Sequence, residues 1–106
     1  MELDYEILVI FVNESDRIHH HSAVDYIIRQ ALTAELAGAS AFRAIDGFGI
    51  HHRMHRQTLL SMTDDEGVAV VICDTTEKLD RFLASLADAG VTGATLRLPA
   101  TAGHLG

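Results

Sequence analysis

The densest concentration of reactive side chains lies in Gly47-Phe48-Gly49-Ile50-His51-His52-Arg53-Met54-His55-Arg56, where three histidines and two arginines follow a pair of glycines. Glycine opens backbone conformations closed to other residues and lets a ligand approach the chain closely. Backbone N–H groups at such a turn, joined by guanidinium forks, make a receptor for phosphate or carboxylate. The chain as a whole carries a formal net charge of −7 and acidic residues resume only at Asp64, so this stretch is a local cationic island. The plain alternative is a bulge or bend where a strand ends.

The same stretch raises metal chemistry. His51 and His55 are spaced i, i+4 and share one face if the segment is helical; His19, His20 and His21 form a second cluster. No zinc-type Cys/His spacing accompanies them, and adjacent histidines on an extended chain point in different directions. Solvated histidines are the simpler reading. A third polar group, Asn13-Glu14-Ser15-Asp16-Arg17, follows an apolar run. It reads as turn and capping chemistry, although ligands of α/β sheets often sit where a central strand ends. Glu14 and Asp16 could act as paired carboxylates, but surface solvation explains them equally well. Cys73, the only cysteine, ends an apolar run without a basic neighbour and reads as a packed core residue. No phosphate-binding P-loop or nucleophile elbow is present, so binding is favoured over catalysis.

These groups must be held by a scaffold of 106 residues, one domain's worth of chain (1–106, core 5–99). Residues 7–12 and 68–73 are continuously apolar and rich in β-branched side chains, as in strands deep within a sheet. Residues 41–46 and 95–98 place charges among apolar neighbours, and the second stops at Pro99, which cannot donate to a ladder and so points to a sheet edge. Val24, Ile27, Ile28, Ala31 and Leu32 follow a helical period after Ser22, with Asp25 completing a capping-box pattern and Gly38 as the stop. Leu79, Phe82, Leu83 and Leu86 repeat the pattern between caps at residues 74–76 and Gly90. The order strand, helix, strand, long loop, strand, helix, strand predicts an α+β ferredoxin-like βαββαβ sandwich. Its four-stranded antiparallel sheet has the two apolar strands in the centre and both helices on one face. The other face would then be bare although its central strands are apolar on both sides, which implies oligomerisation, the plainer alternative being the long loop folded over it.

Composition excludes several classes. With 48% hydrophobic and 22% charged residues the chain is not a disordered one, and its acidity argues against nucleic-acid binding. The longest apolar run, six residues, is far short of the roughly 18 needed for a membrane-spanning helix. The acidic residues Glu2, Asp4 and Glu6 before it do not form a secretory signal's basic region, so a cytoplasmic location is expected.

The segment Gly38-Ala39-Ser40-Ala41-Phe42-Arg43-Ala44-Ile45-Asp46-Gly47-Phe48-Gly49 resembles the helix-to-strand-to-loop passage of the PII-like superfamily, in which Gly-Phe-Gly precedes the long T-loop. More closely, residues 5–99 resemble an uncharacterised PII-like family often encoded beside fluoride-channel genes, with Glu14-Ser15-Asp16-Arg17 after the first strand as a second hallmark. The resemblance implies a ferredoxin-like protomer, a homotrimer with its sheets facing inward, and small effectors bound in clefts between subunits. It implies ligand contacts at Gly38, Ser40, Gly47, Phe48, Gly49, His51 and Arg53, with Glu14, Asp16 and Arg17 beside them. An adenine nucleotide, with or without Mg²⁺, is the effector class it suggests. Residues 50–66 would be the output element, docking on a membrane channel, a transporter or an enzyme. The chain differs from classical PII in Ile50 after Gly-Phe-Gly, in His51 where a glutamine is expected, and in lacking a lysine within residues 89–94 and a tyrosine in the loop. The effector therefore stays open between a nucleotide and a simpler anion. Two other readings remain: a CutA-like metal-binding trimer using His51, His52 and His55, and a small ferredoxin-fold enzyme.

Overall fold

Strands β1 (Tyr5–Asn13) and β5 (Gly67–Thr75) pair antiparallel along their whole length, from Tyr5 opposite Thr75 to Asn13 opposite Gly67. The computed structural model describes residues 4–45 and 67–106. After β1 come two short strands, β2 (Arg17–Ile18) and β3 (His21–Ser22), then helix α1 (Ala23–Thr33) and strand β4 (Gly38–Arg43). Helix α2 (Thr76–Ala89) and strand β6 (Ala94–Ala100) follow β5. The sheet order is β4-β5-β1-β6 with every pairing antiparallel. The two apolar strands thus hold the centre, and Pro99 lies on the edge strand β6. This is the ferredoxin-like architecture expected from the element order.

Alternation divides the sheet into two faces. Leu8, Ile10 and Val12 of β1 and Val68, Val70 and Ile72 of β5 pack beneath Ile27 and Ala31 of α1 and Leu79, Phe82 and Leu86 of α2. Leu8, Ile27, Val70, Ile72 and Leu79 are fully buried, and burying each such side chain is worth about 1.5–3 kcal/mol. The register sets the opposite face as rows: Phe42, Ala69, Phe11 and Ala94; Ser40, Val71, Val9 and Leu96; Gly38, Cys73, Ile7 and Leu98. No described element covers these rows. Phe11 is 44% exposed, Phe42 59%, Leu96 50% and Leu98 47%.

Local chemistry fixes the boundaries. Ser22 caps α1, its Oγ accepting from the Asp25 N–H at 3.3 Å, while the Asp25 carboxylate turns to Arg29 instead of back to Ser22, so the capping box is one-sided. Thr75 caps α2 through a 3.4 Å bond from the Lys78 N–H. Gly90, at φ 94°, ends α2 in the left-handed region, with the Val91 N–H reaching back to the Leu86 carbonyl.

Four expectations need correction. Helix α1 stops at Thr33, not at Gly38: Glu35 takes the left-handed conformation at φ 58°, and the Glu35 and Leu36 N–H groups close on the Leu32 and Ala31 carbonyls. Gly38 consequently opens β4, which ends at Arg43, leaving Ile45 80% exposed beyond it. Leu32, grouped with the apolar side of α1, is 79% exposed, because each residue turns a helix by about 100° and Leu32 lies one step past buried Ala31. Cys73 is half-buried on the uncovered sheet face, since alternation puts Ile72, not its neighbour, under the helices.

Candidate functional site

The end of the sheet where β1 and β4 finish and β5 begins gathers one set of candidates. There the Ala44 N–H donates to the Gly67 carbonyl at 2.8 Å, so the chain leaves the described part and re-enters it side by side. Glu14, just past β1, receives a hydrogen bond from the Arg43 guanidinium at the end of β4. Arg43 was not singled out by sequence reasoning; its partner is 29 residues away, and only its place as a charge among apolar strand neighbours marked it.

Asp16 is engaged in building the turn. Its Oδ2 accepts the Asn13 N–H at 2.9 Å, its N–H donates to the Asn13 carbonyl at 3.0 Å, and its carbonyl accepts from Ala23 at the start of α1 at 2.8 Å. The turn reading of this segment therefore holds for Asp16. Arg17 stands exposed on β2 and makes no ion pair with a described residue. Between β2 and β3, His19 and His20 form a two-residue hairpin with φ of 49° and 71°, the primed-turn pattern that favours Asn and Gly. The His19 ring rests against Tyr26 of α1 at a centroid distance of 6.2 Å. Among the described residues, no group of three or more His, Cys, Asp or Glu could hold a metal ion.

Gly38 and Ser40 form a second set. They lie on β4 on the uncovered face, beside Cys73 and Val71. Five residues of strand separate Gly38 from Arg43, roughly 17 Å at the usual rise. The structure thus brings Glu14, Asp16 and Arg17 to one end of the sheet and places Gly38 toward the other, with Ser40 between them along the edge. Gly47, Phe48, Gly49, His51 and Arg53 lie outside the described residues, as do His52 and His55.

Arg97, the sole basic residue of β6, is engaged in the fold. Its Nη1 donates to Asp80 of α2 at 2.6 Å, its Nε to Glu6 of β1 at 2.7 Å and its Nη2 to the Thr76 carbonyl at 3.2 Å. The Asp80 hydrogen bond raises its pKa further above the usual arginine range; burial opposes this and Glu6 adds to it. A groove of about 260 Å³ between the helices, lined by Gln30, Thr33, Lys78, Arg81 and Ser85 among others, contains none of the candidate residues.

An antiparallel β4-β5-β1-β6 sheet with two helices on one face, and an apolar face that no described element covers, is a ferredoxin-like fold shared with solved PII-like and CutA proteins. The solved structure of CPII, a nitrogen regulatory PII-like protein from Thiomonas intermedia K12 bound to ADP, AMP and bicarbonate, matches with a TM-score of 0.67 at 14% identity over 95% of this chain and 90% of that one. The divalent ion tolerance protein CutA1 from Ehrlichia chaffeensis matches with a TM-score of 0.64 at 12% identity over 98% of this chain and 88% of that one. In sequence, the UPF0166 protein of Aquifex aeolicus (strain VF5) is 31% identical over 81 residues, 76% of this chain and 77% of that protein. The chain belongs to the DUF190 family, described as Uncharacterized ACR, COG1993, whose profile matches residues 5–99.

Proposed function

We propose that this chain is a PII-like regulatory protein, a homotrimer whose uncovered sheet faces meet and whose subunit clefts bind a small anionic effector. The carrying observation is that Gly38 and Ser40 lie on the uncovered apolar face itself, on the edge strand β4. A second copy covering Phe11, Phe42, Leu96 and Leu98 brings its own surface to those positions. The site is then completed between chains, which accounts for the distance between Gly38 and the described candidates Glu14, Asp16 and Arg17 in one protomer. The ligands of CPII make ADP and AMP the first effectors to test, with and without Mg²⁺. Arg17 and Arg43 supply cationic groups at the adjoining sheet end. Residues 50–66 serve as the output element toward a membrane channel, a transporter or an enzyme. The protein works in the cytoplasm and regulates without catalysing. No described helix is long and apolar enough to cross a membrane.

The CutA1 likeness supports a second reading, metal binding through His51, His52 and His55. One set of thermal melts separates the two. ADP or AMP at ~100 times its Kd adds about 2.7 kcal/mol and raises the melting temperature if the effector reading holds. A melt moved by Zn²⁺ or Cu²⁺ alone, with the shift abolished by replacing His51 and His55 with alanine, establishes the metal reading instead.

A further inference from the structure

Asp74 is the only buried polar or charged residue among those described, 4% exposed at the end of β5. A carboxylate in such a place is costly unless its oxygens are bonded. Oδ1 accepts the Thr75 N–H at 2.6 Å, Oδ2 accepts the Ala37 N–H at 2.9 Å, and the Lys78 ammonium lies 3.8 Å away. The bond to Ala37 spans 37 positions of sequence and reaches the turn between α1 and β4.

That turn has little else to fix it at its far side. The Ala34, Glu35 and Leu36 N–H groups close back on α1, to the Gln30, Leu32 and Ala31 carbonyls. Ala37 is the first residue whose N–H is free of the helix, and β4 begins with the next one, Gly38 paired to Cys73. Asp74 follows Cys73, so its side chain extends the β4–β5 ladder one step past the last backbone pair. Lys78 adds a second grip by donating to the Glu35 carbonyl at 3.3 Å. The first turn of α2 and the end of β5 therefore clamp the turn on both sides, and the residues that leave the clamp are Gly38, Ala39 and Ser40.

We propose that Asp74 is a positioning residue for the effector site: through the Ala37 N–H it sets where Gly38 and Ser40 stand at the edge of the sheet. The proposal rests on the effector reading above for what those residues bind, and on the hydrogen bond alone for how they are held. Losing a bond to a charged acceptor weakens a dependent interaction by about tenfold or more.

The test titrates ADP calorimetrically into wild type, Asp74→Ala, Asp74→Asn and Leu86→Val, and follows amide exchange at residues 37–40 in each. Leu86→Val thins the core near the far end of α2 without touching the clamp, so it reports what general loosening does. Asp74→Ala is expected to weaken ADP by about tenfold and to deprotect the Ala37 amide. Asp74→Asn keeps one carbonyl oxygen to accept from Ala37 but sets its NH2 group against the Thr75 N–H, so it should recover part of the affinity that Asp74→Ala loses. Leu86→Val should lower the melting temperature while leaving affinity and residues 37–40 unchanged. Equal affinity losses in Asp74→Ala and Leu86→Val, or no loss in Asp74→Ala, would overturn the proposal. If wild type does not bind ADP, the effector reading fails for that ligand and exchange decides: deprotection at residues 37–40 only in Asp74→Ala supports the clamp, and unchanged protection refutes it.

Discussion

Replacing Gly93 by alanine puts the packing of β6 against β1 to a quantitative test. A Cβ at position 93 would stand 2.5 Å from the Phe11 carbonyl oxygen and 3.2 Å from Val12 Cγ1. Even weak C–H···O contacts keep carbon and oxygen about 3.3 Å apart, so the chain at Gly93 would have to retreat by roughly 0.8 Å. Neither neighbour yields easily, for Phe11 belongs to a central strand paired on both sides and Val12 lies in the core. The first pair of the β1–β6 ladder, Phe11 with Ala94, takes the strain. Overpacking of this kind costs typically 1–3 kcal/mol, and a value of about 2 kcal/mol corresponds to a fall of about 10 °C in melting temperature for a domain of this size. Gly103→Ala is the control, because a Cβ there meets nothing within 4 Å and the residue lies beyond β6, off the sheet. Thermal and urea melts of the two variants beside wild type provide the assay. A Gly93→Ala protein melting within about 2 °C of wild type would refute the close approach.

Other outcomes follow from single side chains. Ser22→Ala removes the α1 cap and should cost about 1 kcal/mol in urea unfolding. Glu35→Gly relieves a left-handed residue and should raise stability by about 1 kcal/mol, the reverse of the usual effect of introducing glycine. Arg97→Ala unties α2 from β1 and β6 and leaves Glu6 without its cation, at a cost of about 2 kcal/mol by the same measurement. Phe11→Asp places a charge in the middle of the uncovered face and should yield a folded chain with native far-UV circular dichroism that sediments as a monomer.

Much of the scaffold was legible because its signals are local or periodic. The apolar runs at residues 7–12 and 68–73 named the central strands, Pro99 named an edge, and the i, i+3, i+4, i+7 pattern from Leu79 named α2. The end of α1 is hidden in the sequence because Glu35, not a glycine, takes the left-handed conformation there, an uncommon helix ending that leaves Gly38 as the nearest local stop signal. Cys73 and Ile72 are adjacent and equally apolar, and only the strand register decides which one the helices cover. The site was less legible, because Glu14 with Arg43 and Asp74 with Ala37 are joined by folding across 29 and 37 positions. No spacing rule reaches that far. Gly93 likewise carries no local mark of its close approach to the Phe11 carbonyl, which only the β1–β6 pairing brings about.

The native mass of the wild-type chain, measured by sedimentation equilibrium across a wide concentration range, tests the central claim most directly. On the rows that no described element covers, Phe11, Phe42, Leu96 and Leu98 are 44–59% exposed, and burying the remainder of each is worth about 1 kcal/mol, before the costs of association. The expected result is a single species at three times the 11.5 kDa chain mass, holding to low micromolar concentration. A species that stays at 11.5 kDa throughout would contradict both the inward-facing assembly and the effector site between subunits.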